Sequence, residues 1–393
     1  MTTTPAPRRG AAKPPPWRDV RVLRIAAQIG ALAAAVVLAS LLVMTLNANI
    51  AGTGLGFDLG FLDQRAGFEL AQKPIPFTAN DTFGRAFAIG VINTLLVSAA
   101  GVVLATMLGI VVGIARLSTN WLASRISAGY VEVMRNTPLL VQLVLIAAIV
   151  RQLPGIGESI ELPGSIYLNS RGLYMPRPET EPTFVVWLAV AVFAFVGAFV
   201  LHRAAAAREA AGKRTYRLGL LGVVTALAIS AAAWIVLTPV AFEVPVLQRF
   251  NFTGGVVLSP GFAALLLGLV IYTAAFIGEV VRGGIQEVRR GQIEAAYAIG
   301  LTPRQTLRLV VFPQALRIIV PPLTSQYLNL IKNSSLALAV GYADLFAVGR
   351  AMANQTGQPL SVIALLMGTY LLISLLTSLF MNLYNRRVQV LER

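Results

Sequence analysis

The stretch Glu294–Pro313, EAAYAIGLTPRQTLRLVVFP, is a polar segment between long apolar runs. Ile293, Tyr297 and Gly300 recur at helical spacing, so the first part of the stretch is predicted to be a short helix. Glycine readily adopts the left-handed conformation that closes many helices, and Gly300 is therefore expected to cap this helix at its C-terminus.

A second helix is predicted directly after this cap. Thr302 is a favourable N-cap, Pro303 suits the first helical position, and Gln305 completes the pattern of a capping box. Pro313 is expected to end the second helix because proline lacks the donor that a helix interior needs. The stretch is thus predicted to be two short helices joined at one turn.

The first of these helices carries small side chains. Ala295, Ala296 and Ala298 would let the surface of another protein approach the backbone closely, and Glu294 would add one charge to that contact. The stretch is therefore a candidate docking element.

The composition indicates a membrane protein with many spans. The 393 residues are 56% hydrophobic and only 12% charged, whereas soluble domains carry about 25% charged residues. The lack of cysteine excludes disulfides, thiolate metal sites and cysteine catalysis. The single histidine, His202, lies at the end of a predicted span and is interpreted as an interfacial residue rather than a ligand.

The net charge of +15 is interpreted as a topology signal and not as a nucleic-acid-binding patch. If both termini are cytoplasmic, the cytoplasmic segments hold 23 of the 32 lysines and arginines, as the positive-inside rule requires. The opposite orientation would invert that ratio. Both termini are therefore expected in the cytoplasm, and no nucleic-acid partner is expected.

An all-α polytopic membrane protein with about eight transmembrane helices is the expected fold class. The predicted spans are residues 25–46, 86–115, about 138–150, 183–201, 218–242, 260–281, 318–340 and 360–384. Other predicted segments are a disordered cytoplasmic tail at 1–24, a periplasmic loop at 47–85, a cytoplasmic loop at 282–317 and a cytoplasmic tail at 386–393. A cleaved signal peptide is the alternative for the first span.

Glu279 and Arg282 lie three residues apart, where the sixth predicted span leaves the membrane. Residues at this spacing face the same side of a helix, so one interpretation is a local ion pair worth a few tenths of a kcal/mol.

The loop resembles the EAA loop of bacterial ABC-importer permeases: EAA, three residues, glycine, nine residues, Val310, two residues and proline. Three blocks extend the resemblance to the polar amino-acid uptake family, namely GVINTLLVSAAG (90–101), YVEVMRNTPLLVQL (130–143) and nearly everything from Ser259 to Arg387. An insertion at about 153–257, with the segment YLNSRGLYMP (167–176), is similar to the general L-amino-acid permease branch. The family's EIVRGG-like pattern implies that Glu279 and Arg282 act in gating or in positioning the loop, and the sequence leaves this interpretation and the local ion pair open.

This resemblance implies a type I ABC-importer transmembrane fold over residues 86–385, with an inserted helix hairpin. It implies that the loop couples to an ATP-hydrolysing subunit, through the matching positions Glu294, Ala295, Ala296, Gly300, Leu301 and Pro313. Implied partners are an ABC ATPase dimer, a second homologous permease, a periplasmic amino-acid-binding protein and the lipid bilayer. ATP and Mg would bind the partner ATPase, whereas this chain would hold no cofactor and would not be an enzyme. The implied function is import of polar L-amino acids, such as glutamate, glutamine, aspartate and asparagine, across the bacterial inner membrane.

The seventh predicted span is interrupted by Pro321-Pro322 and by the polar run Lys332–Ser335. Irregular backbone at membrane depth persists only where protein or a water-filled cavity satisfies it, so this span is expected to line the translocation path. A charge at that depth costs roughly 2.5–3.5 kcal/mol, and Lys332 is interpreted either as a ligand for the substrate carboxylate or as a residue that reaches the interface or a protein acid. The candidate path residues are Lys332, Asn333, Ser334, Ser335 and Asn93.

Other classes of protein account less well for these patterns. An ion-coupled secondary transporter is the main alternative, but it would need inverted repeats and more ionisable residues within the spans. An intramembrane enzyme would need a catalytic constellation, and none is evident. A scaffold protein would leave the complete EAA pattern without a reason.

Overall fold

The computed structural model of the chain describes residues 20–50, 58–210, 216–249 and 251–389. The expected predominance of helix is confirmed. The α-helices of these residues are α1 Val20–Ile50, α2 Phe83–Arg116, α3 Trp121–Asn136, α4 Leu139–Arg151, α5 Thr183–Ala210, α6 Tyr216–Leu237, α7 Pro260–Gln286, α8 Arg290–Ala298, α9 Pro303–Thr306, α10 Phe312–Asn333, α11 Leu345–Thr356 and α12 Pro359–Gln389. Short 3₁₀ turns occur at Gly60–Asp63, Ile156–Glu158 and Ser334–Val340, and a π-helical turn occurs at Leu307–Val311.

Six helical segments within the described ranges are long and apolar enough to cross a membrane. They are Phe83–Arg116, Thr183–Ala206, Leu220–Leu237, Pro260–Gln286, Pro303–Val340 and Pro359–Arg387. The pair α3–α4, bent by 107°, makes a seventh if it is counted as one span. The expected number of eight is therefore approximate, and the first predicted span, 25–46, falls within α1.

The ends of the chain and two of its connections are described only in part. Residues 1–19 of the predicted N-terminal tail and 390–393 of the C-terminal one lie outside the described residues, as do 51–57 and 211–215. The described parts of both predicted tails are helical, because α1 begins at Val20 and α12 extends to Gln389.

Helix α7 is the centre of the packed bundle. Of an apolar 18-residue stretch of α7, 61% is buried inside the chain, whereas only 11% of such a stretch is buried in each helix of the α5–α6 hairpin. Glycines allow the closest contacts, because a Cβ atom added at Gly109 of α2 would lie 2.5 Å from Ile277 Cγ2 of α7. A Cβ at Gly113 would lie 2.7 Å from Val281 Cβ. Small residues let membrane helices approach in this way, so α2 and α7 form one tightly packed pair.

The inserted hairpin of α5 and α6 is framed by short strands that the sequence did not indicate. The strands are β1 Ile160–Leu162, β2 Ile166–Asn169, β3 Gly172–Met175, β4 Arg177–Thr180, β5 Val240–Glu243, β6 Val246–Gln248, β7 Asn251–Thr253 and β8 Val256–Leu258. They form an antiparallel sheet in the order β1-β2-β3-β8 and two antiparallel pairs, β4–β5 and β6–β7. The chain entering the hairpin thus pairs with the chain leaving it, and Arg177 Nη2 lies 2.6 Å from Glu243 Oε2 at its base.

Two predictions about prolines are wrong. Pro313 does not end the second helix of the loop, since it lies in the first turn of α10, directly after the π-helical turn Leu307–Val311. The first turn of a helix needs no N–H donor from proline, so Pro313 is tolerated at the start of α10. The wider π-helical turn lies directly before α10. Pro321 and Pro322 do not break the seventh span either, because α10 continues through them, and the change to 3₁₀ geometry begins at Ser334.

Candidate functional site

The loop between α7 and α10 closes its first helix as predicted. Gly300 has a φ of +85°, and its N–H donates to the Tyr297 carbonyl at 2.9 Å. The N–H of Leu301 donates to the Ala296 carbonyl at 3.1 Å. Together these bonds form a Schellman motif, which satisfies carbonyls that the helix end would otherwise leave unpaired.

The predicted capping box at the second helix is also confirmed. The Gln305 N–H donates to Thr302 Oγ1 at 3.4 Å, and the Thr302 N–H donates to Gln305 Oε1 at 2.9 Å. Pro303 occupies the start of α9. The backbone of the loop is therefore held by local hydrogen bonds on both sides of the turn.

The candidate loop residues differ in exposure. Glu294, Ala295, Gly300 and Pro313 are exposed, Leu301 is half-buried, and Ala296 is buried. Sequence reasoning missed the large apolar side chains around them, although apolar residues in a polar loop were a visible signal. The exposed ones are Tyr297, Ile299 (78% exposed), Leu307, Leu309 and Phe312. We call these five side chains the loop ridge. Its exposed apolar surface, next to Arg304 and Arg308, is typical of a protein contact.

Glu279 makes more than the local ion pair that the sequence indicates. Its carboxylate accepts a hydrogen bond from Arg282 Nε at 3.2 Å on the same helix. It also accepts one from Arg116 Nη1 at the end of α2, and Arg135 Nη1 in the last turn of α3 lies 4.0 Å away. One carboxylate therefore joins guanidinium groups from three helices. We call these four residues the Glu279 cluster.

The bend between α3 and α4 has its own support. Gln142 Nε2 donates to the carbonyls of Met134 and Thr137, both at 3.0 Å. These carbonyls lie at the C-terminus of α3, where no helical donors follow. Pro138, the residue at which the third span was predicted to start, is the N-cap of α4.

The candidate path residues do not form one exposed group. Lys332 is exposed and makes no ion pair with a described carboxylate, whereas Asn333 and Ser335 are half-buried. Ser334 is fully buried, and its hydroxyl donates to the Ile331 carbonyl at 2.7 Å.

Asn93 is 2% exposed and belongs to a separate network on α2. Its side-chain amide donates to the carbonyls of Gln72 at 3.0 Å and Ala343 at 2.8 Å. The Tyr342 hydroxyl in turn donates to the Asn93 carbonyl at 3.1 Å. Both amide hydrogens of Asn93 are thus used in fastening two connecting segments to α2.

Asp344 extends this network to α11 and α12. It is fully buried, and it caps α11 by accepting the Ala347 N–H at 2.8 Å. The Tyr370 hydroxyl of α12 donates to its other oxygen at 3.2 Å. Burial raises the pKa of Asp344 to about 6, because removal from water disfavours the charged carboxylate.

Within the described ranges, no group of three or more histidine, aspartate or glutamate side chains is placed to hold a metal ion.

Comparison with known proteins gives consistent matches. Residues 101–390 match the family described as "Binding-protein-dependent transport system inner membrane component". The chain is 45% identical over 347 residues to the general L-amino acid transport system permease protein AapQ of Rhizobium johnstonii, covering 88% of this chain and 87% of that protein. It is 43% identical over 350 residues to the putative amino-acid ABC transporter permease protein YhdX of Escherichia coli (strain K12), covering 88% of each chain. It is 41% identical over 381 residues to the glutamate/glutamine/aspartate/asparagine transport system permease protein BztB of Rhodobacter capsulatus, again covering 88% of each.

Proposed function

Because the chain belongs to the family of binding-protein-dependent transport system inner membrane components, we propose that it is a permease subunit of an ATP-driven importer of polar L-amino acids. The loop ridge is the observation that carries this proposal. Tyr297 and Ile299 stand exposed on a loop whose backbone is held by its own caps. Leu307, Leu309 and Phe312 continue this apolar surface onto the first turns of the segment Pro303–Val340. Such a surface suits docking to a partner protein rather than catalysis by this chain.

The substrate class follows from the relatives. One is named for general L-amino acids and another for glutamate, glutamine, aspartate and asparagine, and each aligns over most of this chain. We propose the same range of polar amino acids here. Lys332, with Asn333 and Ser335, is proposed to face the substrate, whereas Asn93 and Ser334 are proposed to shape the path from buried positions.

The partners of such a subunit are a dimeric ABC ATPase, a second homologous permease and a periplasmic amino-acid-binding protein. ATP and Mg would bind the ATPase. The proposed location is the bacterial inner membrane, with both termini in the cytoplasm. Residues 86–385 would form the permease domain, with the insertion at about 153–257 and the coupling loop at 282–317.

Coupling requires only that the loop contact the ATPase differently in two arrangements of the transporter. ATP that closes the ATPase dimer would favour the outward-facing arrangement, since a ligand shifts an equilibrium by its differential affinity for the two states. Glu294 and Gly300 lie on the exposed side of the loop. Glu294→Lys and Gly300→Asp are therefore expected to uncouple transport while leaving the chain inserted.

The proposal is tested by purifying the tagged chain from its native membranes in mild detergent. The expected result is co-purification of an ABC ATPase and a second permease, with ATP hydrolysis by the preparation. Glu294→Lys should reduce the amount of ATPase recovered. A chain that transports by itself, without any ATPase, would contradict the proposal and favour an ion-coupled transporter.

A further inference from the structure

We propose that Glu279 is a positioning residue that makes α2, α3 and α7 move as one body with the coupling loop. This inference rests on the proposed function, because it concerns how a displacement of the loop reaches the transmembrane helices. The local ion pair with Arg282 does not explain why Glu279 also contacts Arg116 of α2 and lies near Arg135 of α3.

Glu279 lies near the end of α7 that leads into the coupling loop. Helix α7 is continuous from Pro260 to Gln286, and α8 begins at Arg290 after a connection of three residues. Glu279 therefore lies about two helical turns before the end of α7. A movement of the loop that tilts the end of α7 must move the Glu279 carboxylate with it.

The cluster is a polar link from this end of α7 to α3, beside the Tyr130 hydroxyl that donates to the Ile271 carbonyl and the Arg135 guanidinium that lies over the Phe276 ring. Glycine contacts already join α2 to α7, at Gly109 and Gly113. Arg135 lies in the last turn of α3, 4.0 Å from the Glu279 carboxylate, and α4 follows α3 after the 107° bend. The cluster is thus placed to pass a displacement from the loop to the bent pair α3–α4.

The Glu279 cluster carries more positive than negative charge. Three guanidinium groups share one Glu279 carboxylate, and their side chains are only 19% exposed for Arg116, 30% for Arg282 and 42% for Arg135. Removing the carboxylate would leave three like charges close together in a partly desolvated place, where repulsion is poorly screened. The charge of Glu132 would remain as a favourable one acting on Arg116. Neutralising Arg116 as well would relieve part of that repulsion.

This charge balance predicts a rescue that a simple loss of packing would not show. Glu279→Gln should loosen α3 relative to the loop without detaching it, since the Tyr130 hydroxyl still donates to the Ile271 carbonyl of α7. The double variant Glu279→Gln with Arg116→Gln should restore part of the contact. Arg116→Gln alone should have a smaller effect, because Glu279 keeps Arg282. The glycine contacts between α2 and α7 are untouched in all three variants, so the bundle is expected to fold.

The test measures distances as well as transport. Because the chain contains no cysteine, spin labels attach only to the cysteines that are introduced. Spin labels are placed at Arg125→Cys on α3 and Gln292→Cys on α8, two exposed positions, in the complete complex reconstituted with its co-purified partners. The expected distance distribution is narrow and unimodal in the parent and broad in Glu279→Gln, and it narrows again in the double variant. Glu179→Gln is the matched control, since Glu179 is exposed and makes no ion pair among the described residues.

Transport is measured on the same variants without labels. We expect Glu279→Gln to lower the number of amino acids imported per ATP by about five-fold or more, the smallest fold-change that a typical coupling free energy produces. The double variant should recover part of the lost coupling. Unchanged distances and unchanged coupling in Glu279→Gln would overturn the inference, and so would a double variant no better than the single one. If the parent complex imports nothing with ATP, the proposed function fails, whereas the distance measurement still decides whether Glu279 joins α3 to the loop.

Discussion

The N–H of Leu301 donates to the carbonyl of Ala296 over 3.1 Å, and this bond requires Gly300 between them to adopt a φ of +85°. An added Cβ at Gly300 would meet no atom within 4 Å. Any penalty for a side chain there must therefore come from backbone strain or from the surface that docks on the loop, not from crowding inside the chain.

Three substitutions of Gly300 separate these causes. Asparagine tolerates the left-handed conformation, a β-branched residue does not, and the penalty for an ordinary residue is about 1–2 kcal/mol. We expect Gly300→Asn to retain coupled uptake, Gly300→Val to lose it through a distorted loop, and Gly300→Asp to lose it through its added charge. ATP-dependent uptake at equal membrane levels checks this order. Equal activity of the asparagine and valine variants would show that the cap is not needed.

The close packing of α2 on α7 predicts a contrast between two glycines. Gly109→Ala would place a Cβ 2.5 Å from Ile277 Cγ2, and we expect it to destabilise the bundle by about 1–3 kcal/mol, as overpacking does. Gly129→Ala in α3 meets nothing within 4 Å, and it should be neutral or stabilise by about 0.5–1 kcal/mol because alanine favours helix. Thermal unfolding of the purified protein measures both. A Gly109→Ala variant as stable as Gly129→Ala would contradict the packing described above.

The raised pKa of Asp344 predicts how stability depends on pH. With a folded pKa of about 6 against an ordinary value of 3.8, the folded protein binds the proton more tightly than the unfolded chain does between these values. The contribution of Asp344 to the unfolding free energy is therefore greatest below pH 4, falls by about 3 kcal/mol up to pH 6, and is constant above.

The variant Asp344→Asn isolates this contribution. Asparagine also caps helices well, so the variant should keep α11 in place, lack this dependence on pH, and be at least as stable as the parent at pH 7. The measurement is the thermal unfolding midpoint of both proteins from pH 4.5 to pH 8. A difference between the two midpoints that stays constant over this range would show that Asp344 keeps an ordinary pKa.

Lys332 is exposed and lacks an ionic partner among the described residues, so it is available to a substrate carboxylate. We expect Lys332→Met to abolish uptake while membrane insertion and recovery of the ATPase remain normal, and Lys332→Arg to retain part of the activity because it keeps the charge. Uptake kinetics of labelled glutamate measure this effect. Unchanged kinetics in Lys332→Met would mean that the lysine only reaches the membrane interface.

The coupling loop was predictable because its determinants are local. Thr302, Pro303 and Gln305 lie within four residues of one another, and Gly300 lies two residues before Thr302. The same kind of rule found the ion pair of Glu279 with Arg282 but not the contact with Arg116, which is 163 residues distant in the chain. Helical spacing carries no information about partners on other helices.

Polar residues in apolar spans were harder to interpret. Asn93 resembles a path residue by its position, yet its amide is bonded to the carbonyl of Ala343, 250 residues away. The strands around the hairpin were missed for a related reason. They are only three or four residues long, too short to show alternation, and β3 pairs with β8 across the whole insertion. Pro163-Gly164, between β1 and β2, was a visible turn signal, and Gly164 has a φ of +87°.

The most direct test of the account is uptake of labelled glutamate and glutamine into proteoliposomes that contain this chain, its co-purified ATPase and permease partners and the binding protein. We expect uptake that requires ATP on the cytoplasmic side, is insensitive to collapse of ion gradients and is lost in Glu294→Lys. Uptake that proceeds without ATP and disappears with the ion gradient would contradict it.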